Sequence, residues 1–205
     1  MSKVLTVGAD PFPPYQYYDN SGAVKGSDYD LVKRAFELAG YEIMVVLDDW
    51  KTIEESVINK NIDAAFQVQR TPEREKKYFF SDLLRNAVTE VVTGNKDLVI
   101  NTFKEMEEKR TSIGVIKNYS YGDDIDSLDS SLKVPYPDQL PLLKAINARE
   151  VDMGVFDKGV KEYLMKSAGL NNIYPIKALE FIRPLYVVFH DPTLRDEFNK
   201  GLARL

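Results

Sequence analysis

The sequence predicts an α/β fold made of two similar, half-sized lobes, and three observations carry that expectation. Short apolar runs alternate with amphipathic stretches along the chain, a βαβ rhythm that needs a largely parallel sheet with helices on its faces. The segment Asn59-Lys60-Asn61-Ile62-Asp63-Ala64-Ala65-Phe66 is echoed by Asn147-Ala148-Arg149-Glu150-Val151-Asp152-Met153-Gly154-Val155-Phe156. In both, a helix runs out in polar residues and an Asp leads into a buried strand. Finally, 205 residues is too long for one small domain and short for two at roughly 150 residues each.

The elements follow in order. Val4–Val7 reads as a strand, then comes the loop Asp10-Pro11-Phe12-Pro13-Pro14-Tyr15. Asp28 to Ala39 is an amphipathic helix with Leu31, Ala35, Leu38 and Ala39 as its apolar residues and Gly40 as its stop. Ile43–Leu47 is a strand, Thr52–Asn59 a helix and Ala64–Val68 a strand. The rhythm restarts after Thr93-Gly94-Asn95-Lys96: helix Asn101–Lys109, strand Ser112–Ile116, helix Gln139–Ala148, strand Val151–Phe156, helix Val160–Ala168 ended by Gly169. Leu185–Phe189 is a last strand. Asp191-Pro192 opens the final helix with a cap and a first-turn proline.

Composition excludes several classes of function. A chain of this length buries about 70% of its unfolded surface and needs no staples. Cysteine is absent and His190 is the sole histidine, which removes disulfides, thiol catalysis and Cys- or His-rich metal sites. A net charge of −5 argues against nucleic acid or an anionic membrane as partner. No stretch approaches the ~18 to 20 apolar residues of a membrane span. The opening Met1-Ser2-Lys3-Val4-Leu5-Thr6-Val7 lacks the regions of a signal peptide. The expectation is a cytoplasmic protein, or one whose leader or anchor is absent from this sequence.

Enzyme motifs are missing. There is no Gly-rich phosphate loop. His190 sits in a strand-to-helix turn without a nucleophile constellation, so no catalytic residue is expected. The acidic run Asp123-Asp124-Ile125-Asp126 lacks the ligand spacing of a calcium loop and reads as a helix start. Asn118-Tyr119-Ser120 matches a glycosylation sequon, a pattern with little weight by itself. Neither metal nor cofactor is implied.

Two segments carry chemistry. Thr71-Pro72-Glu73-Arg74 starts a helix with a good cap and first-turn proline. Arg74 then lies in the first turn, where the helix dipole disfavours a cation by a few tenths to ~1 kcal/mol. Either Glu73 or Glu75 offsets this at the surface, or Arg74 and the N–H groups converge on an anion such as a carboxylate. Asp157 follows Val155-Phe156 at the carboxyl end of a strand, where open α/β sheets place ligand contacts. It would cap the next helix, bind a positive amino group, or do both. Phe12 and Trp50 read as loop anchors or as ligand stackers.

The ordered set Val7-Gly8-Ala9-Asp10-Pro11-Phe12-Pro13-Pro14-Tyr15, Gly26-Ser27-Asp28-Tyr29-Asp30-Leu31, Asn61-Ile62-Asp63-Ala64, Thr71-Pro72-Glu73-Arg74, Phe80-Ser81-Asp82, Ile113-Gly114-Val115 and Val151-Asp152 with Asp157 resembles the family 3 extracellular solute-binding proteins. These are the polar-amino-acid-binding proteins of ABC importers, whose fold also forms sensory domains of receptors such as histidine kinases. The resemblance covers essentially the whole chain. It implies a bilobed "Venus flytrap" of two α/β lobes joined by two hinge strands. Lobe 1 would be residues 1–92 and 184–205 and lobe 2 residues 93–183, with a small ligand held in the inter-lobe cleft. It implies that Arg74 binds the α-carboxylate and Asp157 the α-amino group. Phe12 and Trp50 would hold the side chain, and Ser120, at a helix N-terminus, would add a carboxylate contact. Asp10 of the first loop completes the lobe 1 set.

The chain also departs from the family pattern. Phe66-Gln67-Val68-Gln69 replaces a strand of small or hydroxyl residues, and Asn118-Tyr119-Ser120-Tyr121 replaces a Gly-Thr-Thr-type loop. Gln67, Gln69, Tyr119 and Tyr121 would thus shrink the cleft or line it with amide and phenol groups. Family members continue the last helix by ten to twenty residues beyond the point matching Leu205, so truncation fits a domain cut from a longer receptor. The implied function is extracytoplasmic binding with lobe closure, for an ABC permease or as the ligand-sensing domain of a tethered receptor. A dehydratase on the same fold and a ligand-free module are the further alternatives.

Overall fold

The computed structural model describes residues 4–205; Met1-Ser2-Lys3, where the opening segment begins, lie outside the described residues. The chain forms two compact units. Unit 1 runs through Asn86 and resumes at Pro184–Leu205, and unit 2 is Ala87–Arg183.

Unit 1 opens with β1 (Val4–Ala9), the short hairpin β2 (Tyr17–Tyr18) and β3 (Val24–Lys25), then α1 (Ser27–Leu38). The buried face of α1 is Asp28, Val32, Ala35 and Phe36, rotated from the expected Leu31, Ala35, Leu38, Ala39. The i, i+4, i+7, i+8 spacing selects Phe36 as the core residue and takes Asp28 inward with it. Gly40 follows at φ +90, the expected stop. Next come β4 (Glu42–Leu47), α2 (Trp50–Ile58), β5 (Ala64–Gln69), the one-turn α3 (Pro72–Glu75) and β6 (Phe79–Phe80). The Asp49 side chain caps α2 by accepting from Thr52 N, so the helix begins at Trp50 and not, as expected, at Thr52. β1 pairs in parallel with β4 and β5.

Unit 2 contains most of β7 (Arg85–Thr93), then α4 (Phe103–Glu108), β8 (Ile113–Ile116), α5 (Asp123–Asp126), β9 (Lys133–Tyr136), α6 (Gln139–Asn147), β10 (Met153–Asp157), α7 (Lys158–Ala168) and β11 (Tyr174–Pro175). β8 pairs in parallel with β9 and β10, and β10 pairs antiparallel with β7. Alternate residues feed two cores: Val91, Ile113, Met153 and Val155 on one face, Val92, Ile116, Leu143, Ile146 and Phe156 on the other. A sheet covered on both faces reads as near-continuous apolar runs. Gly169 ends α7 in the left-handed region at φ +65, as its position in the sequence predicts.

β12 (Phe181–Phe189) and α8 (Pro192–Leu202) return the chain to unit 1, where β12 runs antiparallel to β5. Phe198 of α8 packs on Phe36 at 4.7 Å and Phe189 at 5.4 Å between ring centroids. Gly201 lets α8 approach α1: a Cβ there would stand 2.1 Å from the Ala35 carbonyl oxygen.

The echoed segments are built alike. Lys60 after α2 and Arg149 after α6 both turn left-handed, at φ 60 and 61. Then Asp63 accepts a hydrogen bond from Thr6 N at 2.8 Å, and Asp152 accepts one from Ser112 N at 2.8 Å. Each carboxylate ties the amino end of one strand to its parallel neighbour, β5 to β1 and β10 to the residue preceding β8.

Candidate functional site

The sequence-expected residues lie at or just past the carboxyl ends of parallel strands. In unit 1, Asp10 follows β1, Gln67 and Gln69 end β5, and Arg74 lies in α3 just beyond. In unit 2, Asp157 ends β10, and Tyr119 and Ser120 follow β8. This is the end of an open α/β sheet where ligands bind.

Arg74 is the most elaborately held of them. Thr71 caps α3, accepting from Arg74 N at 3.2 Å. The guanidinium lies over the Trp50 ring, 5.0 Å from its centroid, and donates through Nη1 to the Gln69 carbonyl at 3.0 Å. Its Nε stands 3.5 Å from Glu54 Oε1. Glu54 also accepts from the Tyr78 hydroxyl at 2.9 Å. Burial drives the Tyr78 phenol far above the usual tyrosine range, opposed by the positive charge of Arg74, so it stays a neutral donor. The Arg74 side chain is 11% exposed, and its Nη2 makes no hydrogen bond among the described residues. Trp50 and Phe12 are both buried. Trp50 supplies a floor for Arg74, and Phe12 stacks on Tyr15 at 6.1 Å. The indole N–H of Trp50 and the side-chain oxygen of Gln69 are buried without hydrogen bonds. Buried polar atoms of this kind are rare in folded proteins and call for an explanation.

A second cluster in unit 1 joins residues far apart in sequence. Arg85 Nε lies 2.7 and 2.8 Å from the two oxygens of Asp28, and Gln67 Nε2 donates to Asp28 Oδ2 at 2.5 Å. The Arg85 guanidinium covers the Tyr15 ring at 4.0 Å. Asp28 is 2% exposed, so its charge depends on donors such as these in place of water. Gln67 itself holds φ +62, a left-handed conformation costing about 1–2 kcal/mol for a residue with a Cβ. Asp10 contributes its backbone carbonyl to Gln16 Nε2 at 3.0 Å.

In unit 2 the Asp157 side chain caps α7, accepting from Gly159 N at 2.9 Å and Val160 N at 3.3 Å. One turn on, buried Lys161 pairs with buried Glu90 of β7. Arg183 donates to Thr89 Oγ1 at 2.8 Å and to the Ser120 carbonyl at 3.2 Å, and lies over Tyr121. Tyr119 is half-buried and packs against both cores. The Ser120 hydroxyl donates to Asp126 Oδ2 at 2.6 Å, and Asp126 also takes the N–H groups of Tyr121 and Gly122. The helix after Ser120 is a single turn, Asp123–Asp126, whose last carboxylate folds back onto the N–H groups that precede it.

Sequence reasoning missed Arg85, Glu54, Glu90, Lys161 and Arg183 as site neighbours. Asp28 lay within a quoted motif, but nothing local marks its partner 57 residues on. Among the described residues no cluster of three His, Asp or Glu is arranged to hold a metal ion, and no helix is long and apolar enough to cross a membrane.

The model of the bacterial extracellular solute-binding proteins, family 3, matches residues 5–205. The chain belongs to this family. The arginine-binding extracellular protein ArtP of Bacillus subtilis is 26% identical over 208 residues, 98% of this chain and 80% of ArtP. A probable amino-acid ABC transporter-binding protein of Haemophilus influenzae is 25% identical over 120 residues, 58% of this chain. That match spans just 47% of the Haemophilus protein. Among solved structures, an ancestral arginine-binding protein bound to arginine superposes with a TM-score of 0.85 at 21% identity, covering 100% of this chain and 92% of that one. A histidine kinase sensor domain with similarity to periplasmic binding proteins gives a TM-score of 0.85 at 16% identity, covering 100% and 90%. The two α/β units are thus those of the periplasmic-binding-protein fold, and the chain is a solute-binding protein and not an enzyme.

Proposed function

We propose that this family 3 protein binds an amino-acid-like ligand, outside the cytoplasm, as the solute-binding component of an ABC importer. Arg74 receives the α-carboxylate and Asp157 the α-amino group. Asp10, Phe12, Trp50, Gln67, Gln69 and Tyr119 form the remaining walls. Ser120 joins them when its hydroxyl exchanges Asp126 for the ligand. On this reading the two compact units are the two lobes, and a ligand touching both shifts the population toward a closed state.

The observation that carries the reading is the setting of Arg74. A cation placed in a first helical turn, floored by an indole and fixed by a carbonyl, gains little for stability from its longer ion pair with Glu54. A guanidinium fixed this way loses little further freedom when it takes a carboxylate, which is how preorganisation raises affinity. That relatives such as ArtP are named for arginine binding supports an amino-acid ligand.

A thermal-shift panel of the twenty amino acids and small carboxylates tests this. A binder of the folded state adds about 2.7 kcal/mol at a hundredfold excess over Kd, so the midpoint rises with ligand concentration. No shift across the panel overturns the proposal. The same site would serve the sensing domain of a membrane receptor, a reading favoured by the substituted loops Gln67–Gln69 and Tyr119–Tyr121. A membrane span and signalling domain encoded in the same gene would decide for it.

A further inference from the structure

The two terminal strands of the sheet, β4 and β9, are defended unequally. A terminal strand presents unpaired N–H and C=O groups, and proteins blunt such edges with proline, lysine, bulges or short length. β9 is four residues long and carries Lys133 and Pro135. β4 is six residues long, Glu42-Ile43-Met44-Val45-Val46-Leu47, with neither proline nor lysine. It pairs with β1 residue for residue along its whole length, so no bulge turns it away.

One face of β4 is open as well as its edge. Ile43 and Val45 pack on the core of unit 1, and Leu47 belongs to it. On the other face Met44 is 56% and Val46 36% exposed. The backbone alternates in the same way. The Asp48 N–H donates to the Ala9 carbonyl and so faces β1. The Leu47 N–H faces outward and donates to the Tyr18 hydroxyl at 3.2 Å. With a period of two, the backbone groups of Val45 and Ile43 also face outward, and no strand lies beyond them among the described residues. Tyr18 ends the open run, which is residues 42–46 with Met44 at its centre.

We propose that β4 is a self-association edge, on which a second copy of this chain pairs antiparallel about a two-fold axis at Met44. Ile43 of each copy exchanges backbone hydrogen bonds with Val45 of the other. Met44 faces Met44, and Glu42 faces Val46. A run symmetric about its middle residue suits a two-fold, in which the same patch serves both partners. Charge agrees: Glu42, the charged residue of the run, falls opposite a valine, so no like charges are opposed. A strand of a different protein would use the same edge with no reason to centre on Met44.

Sedimentation equilibrium over a wide range of protein concentration tests this with wild type, Met44→Lys and Met44→Glu. Met44 is exposed, so both variants should keep the fold, which circular dichroism checks. In the pairing proposed, the two side chains at position 44 face each other with Cβ atoms about 4.5–5.5 Å apart. Wild type is expected to shift from monomer to dimer mass as concentration rises. Each variant alone opposes like charges and should dimerise about fivefold more weakly or worse. An equimolar mixture of the two variants opposes an ammonium to a carboxylate and should recover the dimer. Wild type that stays monomeric throughout overturns the proposal. So does either variant that dimerises alone as tightly as wild type, or a mixture that dimerises no better than its parts, since each denies an axis at Met44.

Discussion

The two units are alike at the amino ends of their strands and unlike at the carboxyl ends. At the amino ends, Asp63 and Asp152 make the same bridge to a neighbouring parallel strand after the same left-handed helix exit. At the carboxyl ends, unit 2 pairs Glu90 with Lys161, Ser120 with Asp126, and Arg183 with Thr89 and a carbonyl. Unit 1 has buried polar atoms without hydrogen bonds there on Trp50, Gln69 and Arg85, and unit 2 has one on Gln139 at the start of α6. The shared end builds the fold, and the divergent end carries the residues of the proposed site. On the proposed function, a ligand engages unit 1 first and unit 2 second.

Breaking the buried ion pair of unit 2 should have the largest effect on stability. Glu90→Ala strands the Lys161 ammonium in a buried site and should cost about 3–5 kcal/mol in urea unfolding. Glu90→Leu combined with Lys161→Met should recover most of that loss. A small effect from Glu90→Ala would mean the unit 2 pair is not buried as described. The common corner comes next. Asp63→Ala and Asp152→Ala each leave a backbone N–H without its acceptor and should each cost about 1–3 kcal/mol, with ligand affinity unchanged. Strongly unequal losses, or lost binding, would break the likeness of the two corners. The smallest stability effect belongs to Asp157→Asn. Asparagine caps a helix about as well as aspartate, so the change should be roughly 0.5 kcal/mol or less. Losing the charge should nevertheless weaken an amino-acid ligand about 10- to 100-fold in calorimetry.

The sequence made the repeated parts legible. Gly40 and Gly169 mark real helix ends, Asp191-Pro192 opens α8, and the echo around Asp63 and Asp152 is a real repeat of structure. β7 stayed hidden because Thr89, Glu90 and Thr93 are buried polar residues within it, which blurs the apolar run of a covered strand. β9 was masked by Pro135, a residue placed at sheet edges, and β9 is a terminal strand of its sheet. Arg74 and Asp157 were visible as charged residues at element starts. The left-handed conformation of Gln67 was not, since glutamine carries no signal for it, and the clamp of Arg85 on Asp28 exists only once the strands are assembled.

The most direct test of the central claim is calorimetric titration of the wild type and Arg74→Ala with the amino acid that gives the largest thermal shift, after circular dichroism has confirmed both are folded. The account predicts a saturable wild-type isotherm and no detectable binding by Arg74→Ala, because the α-carboxylate has lost its partner. Equal affinity for the two proteins would contradict it.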